Sequence, residues 1–204
     1  MTRPERKART RDELLAAAGA VFMRRGFHGA SLEEIADEAG YTKGAVYSNF
    51  ADKDALFVAV LEARYERRVE IYTQMILEQD ADLDDALLAV TRFMADADTR
   101  EPAWLPLLAE FVSHASRHDR TRREYLRVRE GFLQTIAGVI AALGTRHGVT
   151  FRVSPLEAAR ASSVLLRGVS AERLLDPELV SADLFVELHT ALLRGLIVRE
   201  AGAS

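Results

Sequence analysis

Thr42, Lys43 and Tyr47, with Ser31 a little upstream, set two hydroxyls, an ammonium and a phenol along one short stretch of this 204-residue chain. Such donors suit a partner built of acceptors: phosphate oxygens or, for a lysine, the O6 and N7 atoms of a guanine. Gly44 and Ala45 lie between them and carry almost no side chain, so a helix bearing them can approach a groove closely, and Ala45 can touch a thymine methyl. Tyr47 can hydrogen-bond a phosphate while its ring packs on sugar or base edges; the plainer reading has its ring cover the core of its own domain.

Ser31 is a good N-cap, Glu34 three residues on completes a capping box, and Leu32, Ile35, Ala36 and Ala39 recur at helical spacing. Gly40 supplies a turn. Thr42 then caps a second short helix in which Val46 and Phe50 share one face as core, leaving Lys43, Gly44 and Tyr47 to point elsewhere. Two short helices around a tight glycine turn are the layout of a helix-turn-helix nucleic-acid reader.

The order Phe22, Gly26-Phe27, Ser31-Leu32, Ile35-Ala36, Ala39-Gly40, Thr42-Lys43-Gly44-Ala45-Val46-Tyr47, Asn49-Phe50, Lys53, Leu56-Phe57 strongly resembles the N-terminal domain of the TetR family of transcriptional regulators. The resemblance covers roughly the first quarter of the chain; beyond Glu78 it is one of architecture. It implies a homodimer on a double-stranded, pseudo-palindromic DNA operator, typically a repressor released by a small-molecule effector. Lys43, Gly44, Ala45 and Tyr47 occupy the family's DNA-facing positions. Lys53 matches a phosphate contact, with a solvated surface charge as the alternative, and Asn49 stands where many relatives carry histidine. Ser31 and Thr42 add phosphate contacts from helix N-termini.

The net charge of −4 argues at first against a nucleic-acid partner, but its distribution does not. Arg3, Arg6, Lys7, Arg9 and Arg11 against Glu5 make residues 1–11 net +4, and the rest of the chain net −8. A basic arm beside a reading helix can neutralise phosphates locally; a disordered solubilising tail is the alternative. The absence of cysteine excludes disulfides, thiolate zinc sites and cysteine nucleophiles. MTRPERKART lacks the apolar core of a signal peptide, and no apolar stretch is long enough to span a bilayer, so a cytoplasmic protein is expected.

The five prolines, Pro4, Pro102, Pro106, Pro155 and Pro177, sit at helix starts or connections, and nothing between them reads as a strand. The expected fold is all-α with about nine helices, near residues 10–25, 31–38, 42–49, 52–78, 83–97, 103–117, 120–146, 155–175 and 181–200. Gly26 is expected to end the first helix in a left-handed C-cap, and Asp52 to cap the fourth. The domains expected are a basic arm (1–9), a helix-turn-helix DNA-binding domain (10–51) and a larger helical ligand-binding and dimerisation domain (52–204), whose first helix (52–78) links the two.

In the body, Phe93, Trp104, Leu107, Leu108, Phe111, Tyr125 and Phe132 supply large side chains that either line an effector cavity or form plain core; Glu110, His114, Arg117, His118 and Arg167 are candidate polar anchors of such a cavity, with a surface or internally satisfied side chain as the plainer reading of each. The last two helices are apolar around much of their circumference, which calls for cover by a second subunit. Val164, Leu165, Gly168, Leu188, Leu192, Gly195 and Leu196 are the expected interface, the equivalent of the family's intersubunit four-helix bundle; close packing within one subunit is the alternative for the two glycines.

No cofactor or metal is expected. His114 and His118 have the spacing of two ligands on a helix but lack a further partner set. Asp80, Asp82, Asp84 and Asp85 read as a loop and helix start, where carboxylates complement the macrodipole, rather than as the magnesium site of an all-helical enzyme. No nucleophile elbow or phosphate-binding glycine loop occurs, so an enzyme is not expected. A sequence-tolerant architectural DNA-binding protein is the remaining alternative, against which the net acidity argues.

Overall fold

The computed structural model describes residues 2–78, 82–96, 100–176, 178–179 and 181–199. In chain order the elements are α1 (Arg3–Gly29), α2 (Leu32–Glu38), α3 (Lys43–Asn49), α4 (Lys53–Thr73, running on as a π turn, Gln74–Glu78), α5 (Leu83–Ala95), α6 (Trp104–Ala115), α7 (Asp119–His147), β1 (Val149–Phe151), α8 (Pro155–Leu175), α9 (Ala182–Leu196) and β2 (Ile197–Arg199). Pro177 and Asp80 lie outside the described residues. Among those described, no helix is long and apolar enough to cross a membrane.

The chain divides into two compact units, residues 1–65 with 106–129 and residues 66–105 with 130–204. The expected boundary near residue 51 is therefore not where the packing changes: α6 from Pro106 and the first part of α7 belong with the helix-turn-helix.

In the first unit α1 begins well before the expected residue 10. Thr2 caps it, Glu5 closes a reciprocal capping box, and Pro4 sits in the first turn, where its missing N–H is harmless. The basic arm is thus helical, with Arg3, Arg6 and Lys7 exposed. Gly26 does not end the helix but breaks it, at φ 73° and ψ 172°, with one further turn beyond. The N–H groups exposed by the break, those of Phe27 and His28, donate to Glu110 Oε2 at 2.9 and 3.3 Å. The backbone angle is what calls for glycine; a Cβ on residue 26 would also lie 2.7 Å from Glu110 Oε1 and would displace that carboxylate from its bonds to the break. The core is an aromatic cluster: Phe57 stacks on Phe111 at 4.2 Å and meets Phe22 and Phe27 edge-on at 5.1 and 5.5 Å.

The second unit packs Tyr72, Ile76, Leu87, Val90, Leu143 and Phe185, among others, into its own core. Ser154 and Glu157 form a capping box at the start of α8 with Pro155 in its first turn, and Ser181 caps α9. The expectation of no strands fails here. After Gly148, at φ 61°, β1 pairs antiparallel with β2, matching Thr150 to Val198. Consequently the last helix stops at Leu196 instead of running to 200. Val149, Thr150, Ile197 and Val198 are β-branched, and pairing across the sheet outweighs the helical pattern that precedes β2.

Thr91 and His189 form a buried polar pair joining α5 to α9, with Thr91 Oγ1 2.8 Å from His189 Nδ1 and the imidazole stacked on Phe185. Burial pushes the His189 pKa down to about 4, below its ordinary 6.5, because the imidazolium would lose its hydration. The unfolded chain therefore binds a proton here that the folded chain does not. Stability is complete above the unfolded value and declines as pH falls from there towards the folded one, by about 2 kcal/mol between about pH 7.5 and about pH 5. Urea unfolding at the two pH values should show that loss, and His189→Asn, which keeps a partner for Thr91, should remove most of the difference.

Candidate nucleic-acid interface

Helices α2 and α3 are held by the local devices that their sequence carries. Ser31 Oγ accepts from Glu34 N at 3.1 Å and Thr42 Oγ1 from Ala45 N at 3.3 Å. At the turn Gly40 has φ 71°, and the bonds from Tyr41 N to Ala36 O and from Gly40 N to Asp37 O close α2 in a Schellman motif. The expected capping box is only half made: Glu34 bonds Arg25 at 3.0 Å and Arg24 at 3.3 Å instead of returning to Ser31. Ile35, Val46 and Phe50 are buried and fix the inner faces of the two helices.

The outer face of α3 is the opposite set. Thr42, Lys43, Gly44 and Tyr47 are exposed and Ala45 is half-buried. Tyr47 is 51% exposed, so its ring does not close the domain core. A Cβ on Gly44 would meet only Thr42 Oγ1, at 3.7 Å. The fold does not need a glycine there, and in a helix it costs about 1 kcal/mol relative to alanine. The Ser31 and Thr42 oxygens accept their capping bonds while their hydroxyl hydrogens can still donate outward.

Lys43 donates to Glu33 and lies 5.8 Å from the Tyr47 ring centroid. Two other expected contacts are turned inward. Asn49 gives its amide hydrogens to Ala45 O and Ser48 Oγ, which commits it to the end of its own helix. Lys53 donates to the carbonyls of Ala30 and His28 at 3.1 and 3.3 Å, over the Phe27 ring, and burial lowers its pKa. It clamps the end of α1 to α4, a placement unlike the solvated charge weighed from the sequence.

Residues 14–60 match the family model of the bacterial regulatory proteins of the tetR family, and residues 83–198 match that of the BetI-type transcriptional repressor C-terminal domain. This chain belongs to the TetR family. Among its TetR relatives, the repressor NicS of Pseudomonas putida is 31% identical over 147 residues, 72% of this chain and 68% of NicS. The transcriptional activator FasR of Mycolicibacterium smegmatis is 44% identical over 59 residues, 29% of this chain and 27% of FasR. The crystal structure of reduced Escherichia coli NemR shares the fold, with a TM-score of 0.71 over 95% of this chain and 99% of that one at 24% identity. The chain is thus a DNA-binding transcriptional regulator and not an enzyme, of a family in which homodimers and ligand response are typical.

TetR membership makes the placement of the expected pocket residues informative. Leu107, Leu108, Phe111, His114 and Tyr125 fall in the first unit, with the reading helices. Phe111 is fully buried between Phe27 and Phe57, Tyr125 packs on Phe111, and Leu107 and Leu108 are buried beside them, which makes these four core. His114 Nε2 bonds Asp54 Oδ2 at 2.9 Å and its ring stacks on His118, while Glu110 caps the Gly26 break. Phe93, Trp104, Phe132 and Arg167 belong to the second unit, where Phe93 meets Tyr72 and carries the Arg100 guanidinium 4.0 Å from its ring centroid. The two cavities described in that unit lie elsewhere. One, of about 500 Å³, is lined by Ala141, Gly144, Phe151 and Pro155 among others; the second, of about 260 Å³, by Leu83, Asp84, Arg194 and Ile197.

Two members of the acidic cluster are structural: Asp82 caps α5, and Asp84 pairs with Arg194. Among the described residues, no group of three or more His, Cys, Asp or Glu is arranged to hold a metal. The expected interface residues of α8 and α9 divide by exposure. Val164, Gly168, Leu188 and Gly195 face outward, while Leu165, Leu192 and Leu196 are half-buried. Leu174, Leu175, Leu179 and Leu184 extend the set of exposed apolar side chains.

Glu33 is not among the residues expected at this face. Read alone it is one more solvated acid of α2, and only the folded turn brings it to Lys43.

Proposed function

We propose that the protein acts as a homodimeric repressor that reads a pseudo-palindromic operator in the DNA major groove and releases it when a small molecule binds the second unit. The observation that carries the reading is the outer face of α3, where Lys43, Gly44 and Tyr47 are exposed beside a half-buried Ala45 while Val46 and Phe50 fix the helix from within. Lys43 supplies a donor for guanine, Gly44 and Ala45 admit the helix to the groove, and Tyr47, Ser31 and Thr42 hold phosphates. Arg3, Arg6 and Lys7 on the first turns of α1 add positive charge.

The repressor sense follows NicS and NemR, both named as repressors. Helices α4 and α7 each contribute residues to both units, so a ligand that favours one arrangement of the second unit can bias the first. Such a regulator works where the chromosome is, in the cytoplasm.

The test uses a duplex enriched by the protein from a random DNA library, with a random duplex of equal length as reference. Lys43→Ala should lose about 1–3 kcal/mol of discrimination between the two in anisotropy titrations. Tyr47→Ala should weaken binding to both with unchanged helicity. Full discrimination in the Lys43 variant would remove α3 from base reading.

A further inference from the structure

The outermost cation of the reading helix is held by an acid of the same motif. Lys43 Nζ donates to Glu33 Oε1 on α2, and the ammonium sits beside the Tyr47 ring. The two side chains are 49% and 56% exposed, so the pair is not enforced by burial. An ion pair this exposed contributes little to stability, and the fold does not explain it. A carboxylate on a face meant for a polyanion opposes binding, so it needs another reason. Three neighbouring acids have structural partners: Glu34 and Glu38 tie Arg24, and Glu13 accepts from Tyr41 and Arg9. Glu33 pairs with the reader itself.

We propose that Glu33 is a positioning residue that sets DNA specificity, aiming the Lys43 ammonium at base acceptors and penalising its use on bare phosphate. The proposal rests on the reading of α3 given above. An ammonium has three donors; one spent on Glu33 leaves two for the O6 and N7 of a guanine, directed by the carboxylate and the Tyr47 ring. On DNA without acceptors at that position the two remaining donors find no base partner, and a Lys43 that swings away to a phosphate gives up Glu33, leaving an unpaired carboxylate beside the backbone. The penalty falls on the wrong DNA. Mutual hydrogen bonding holds the Glu33 carboxyl below its ordinary pKa and Lys43 above its own, so both groups are charged at neutral pH.

The test is Glu33→Gln, which keeps shape and removes the charge. Affinity for a random duplex should rise about fivefold near 0.1 M salt, and the slope of log affinity against log salt should steepen by about 0.9 per reading head. Affinity for the enriched duplex should stay level or fall, so the ratio between the two drops. In a Lys43→Ala background, Glu33→Gln should move both duplexes alike, because no ammonium remains to aim. A parallel rise on both duplexes in the otherwise wild-type protein, with the ratio intact, would overturn the proposal and leave Glu33 a general repulsion. The unmutated protein separates the two readings. If it prefers its enriched duplex and Glu33→Gln preserves that preference, only the role of Glu33 fails; if it has no preference, the reading of α3 fails and takes Glu33 with it.

Discussion

Phe111→Ala is expected to destabilise the DNA-reading unit by about 3–5 kcal/mol and to abolish DNA binding, although Phe111 lies far beyond the helix-turn-helix in sequence. Its ring is fully buried, stacked on Phe57 and edge-on to Phe27, and Phe57 in turn meets Phe22 of α1. Truncation leaves a cavity at the point where α1, α4 and α6 meet, and small domains have only about 5–15 kcal/mol in hand. Urea unfolding together with DNA titration would check this. If 106–129 belonged functionally to an effector-binding body, the same substitution would alter ligand response and spare DNA binding. Loss of both stability and binding would support the division in which α6 is part of the reading unit.

The second large effect is expected from Val164→Glu combined with Leu188→Glu. Both side chains are exposed within one subunit, at 63% and 45%, so the variant subunit should keep its helicity. In a dimer packed through α8 and α9 the same substitutions place several unpaired carboxylates in an apolar interface, at several kcal/mol each. Sedimentation should then give a particle of 22.6 kDa, the mass of one chain, in place of twice that mass. Operator affinity should fall by about a thousandfold, towards the level of non-specific binding, since one reading head contacts one half-site. A particle that keeps twice the chain mass would move the interface elsewhere.

What could be read from the sequence follows the range of the forces involved. The boundaries of α2, α3 and α8 and the start of α4 are within a residue or so of expectation because Ser31, Gly40, Thr42, Asp52 and the Ser154-Pro155 pair act on their immediate neighbours. The start of α1 is equally local, in Thr2 and Glu5, but the apolar stripe begins only at Leu14, and a start near residue 10 follows from the stripe alone. Strands β1 and β2 are three residues each and stabilise one another across the chain, which no local pattern reports. The stripe through Leu107 and Phe111 does identify a buried face. It does not say which helices cover it, and they prove to be those of the reading unit. Local spacing offers Glu34 to its own N-cap, whereas two arginines of α1 compete for it and hold it. Glu33 was invisible for the same reason: its meaning depends on a neighbour supplied by the turn.

The most direct test of the central claim is to select duplexes from a random DNA library with the purified protein and sequence what is retained. The expected result is an enriched inverted repeat whose half-sites are centred about one helical turn apart or a multiple of it, as a two-fold pair of α3 helices requires. A retained pool as random as the starting one would contradict it, and would leave a protein that grips the DNA backbone without reading sequence.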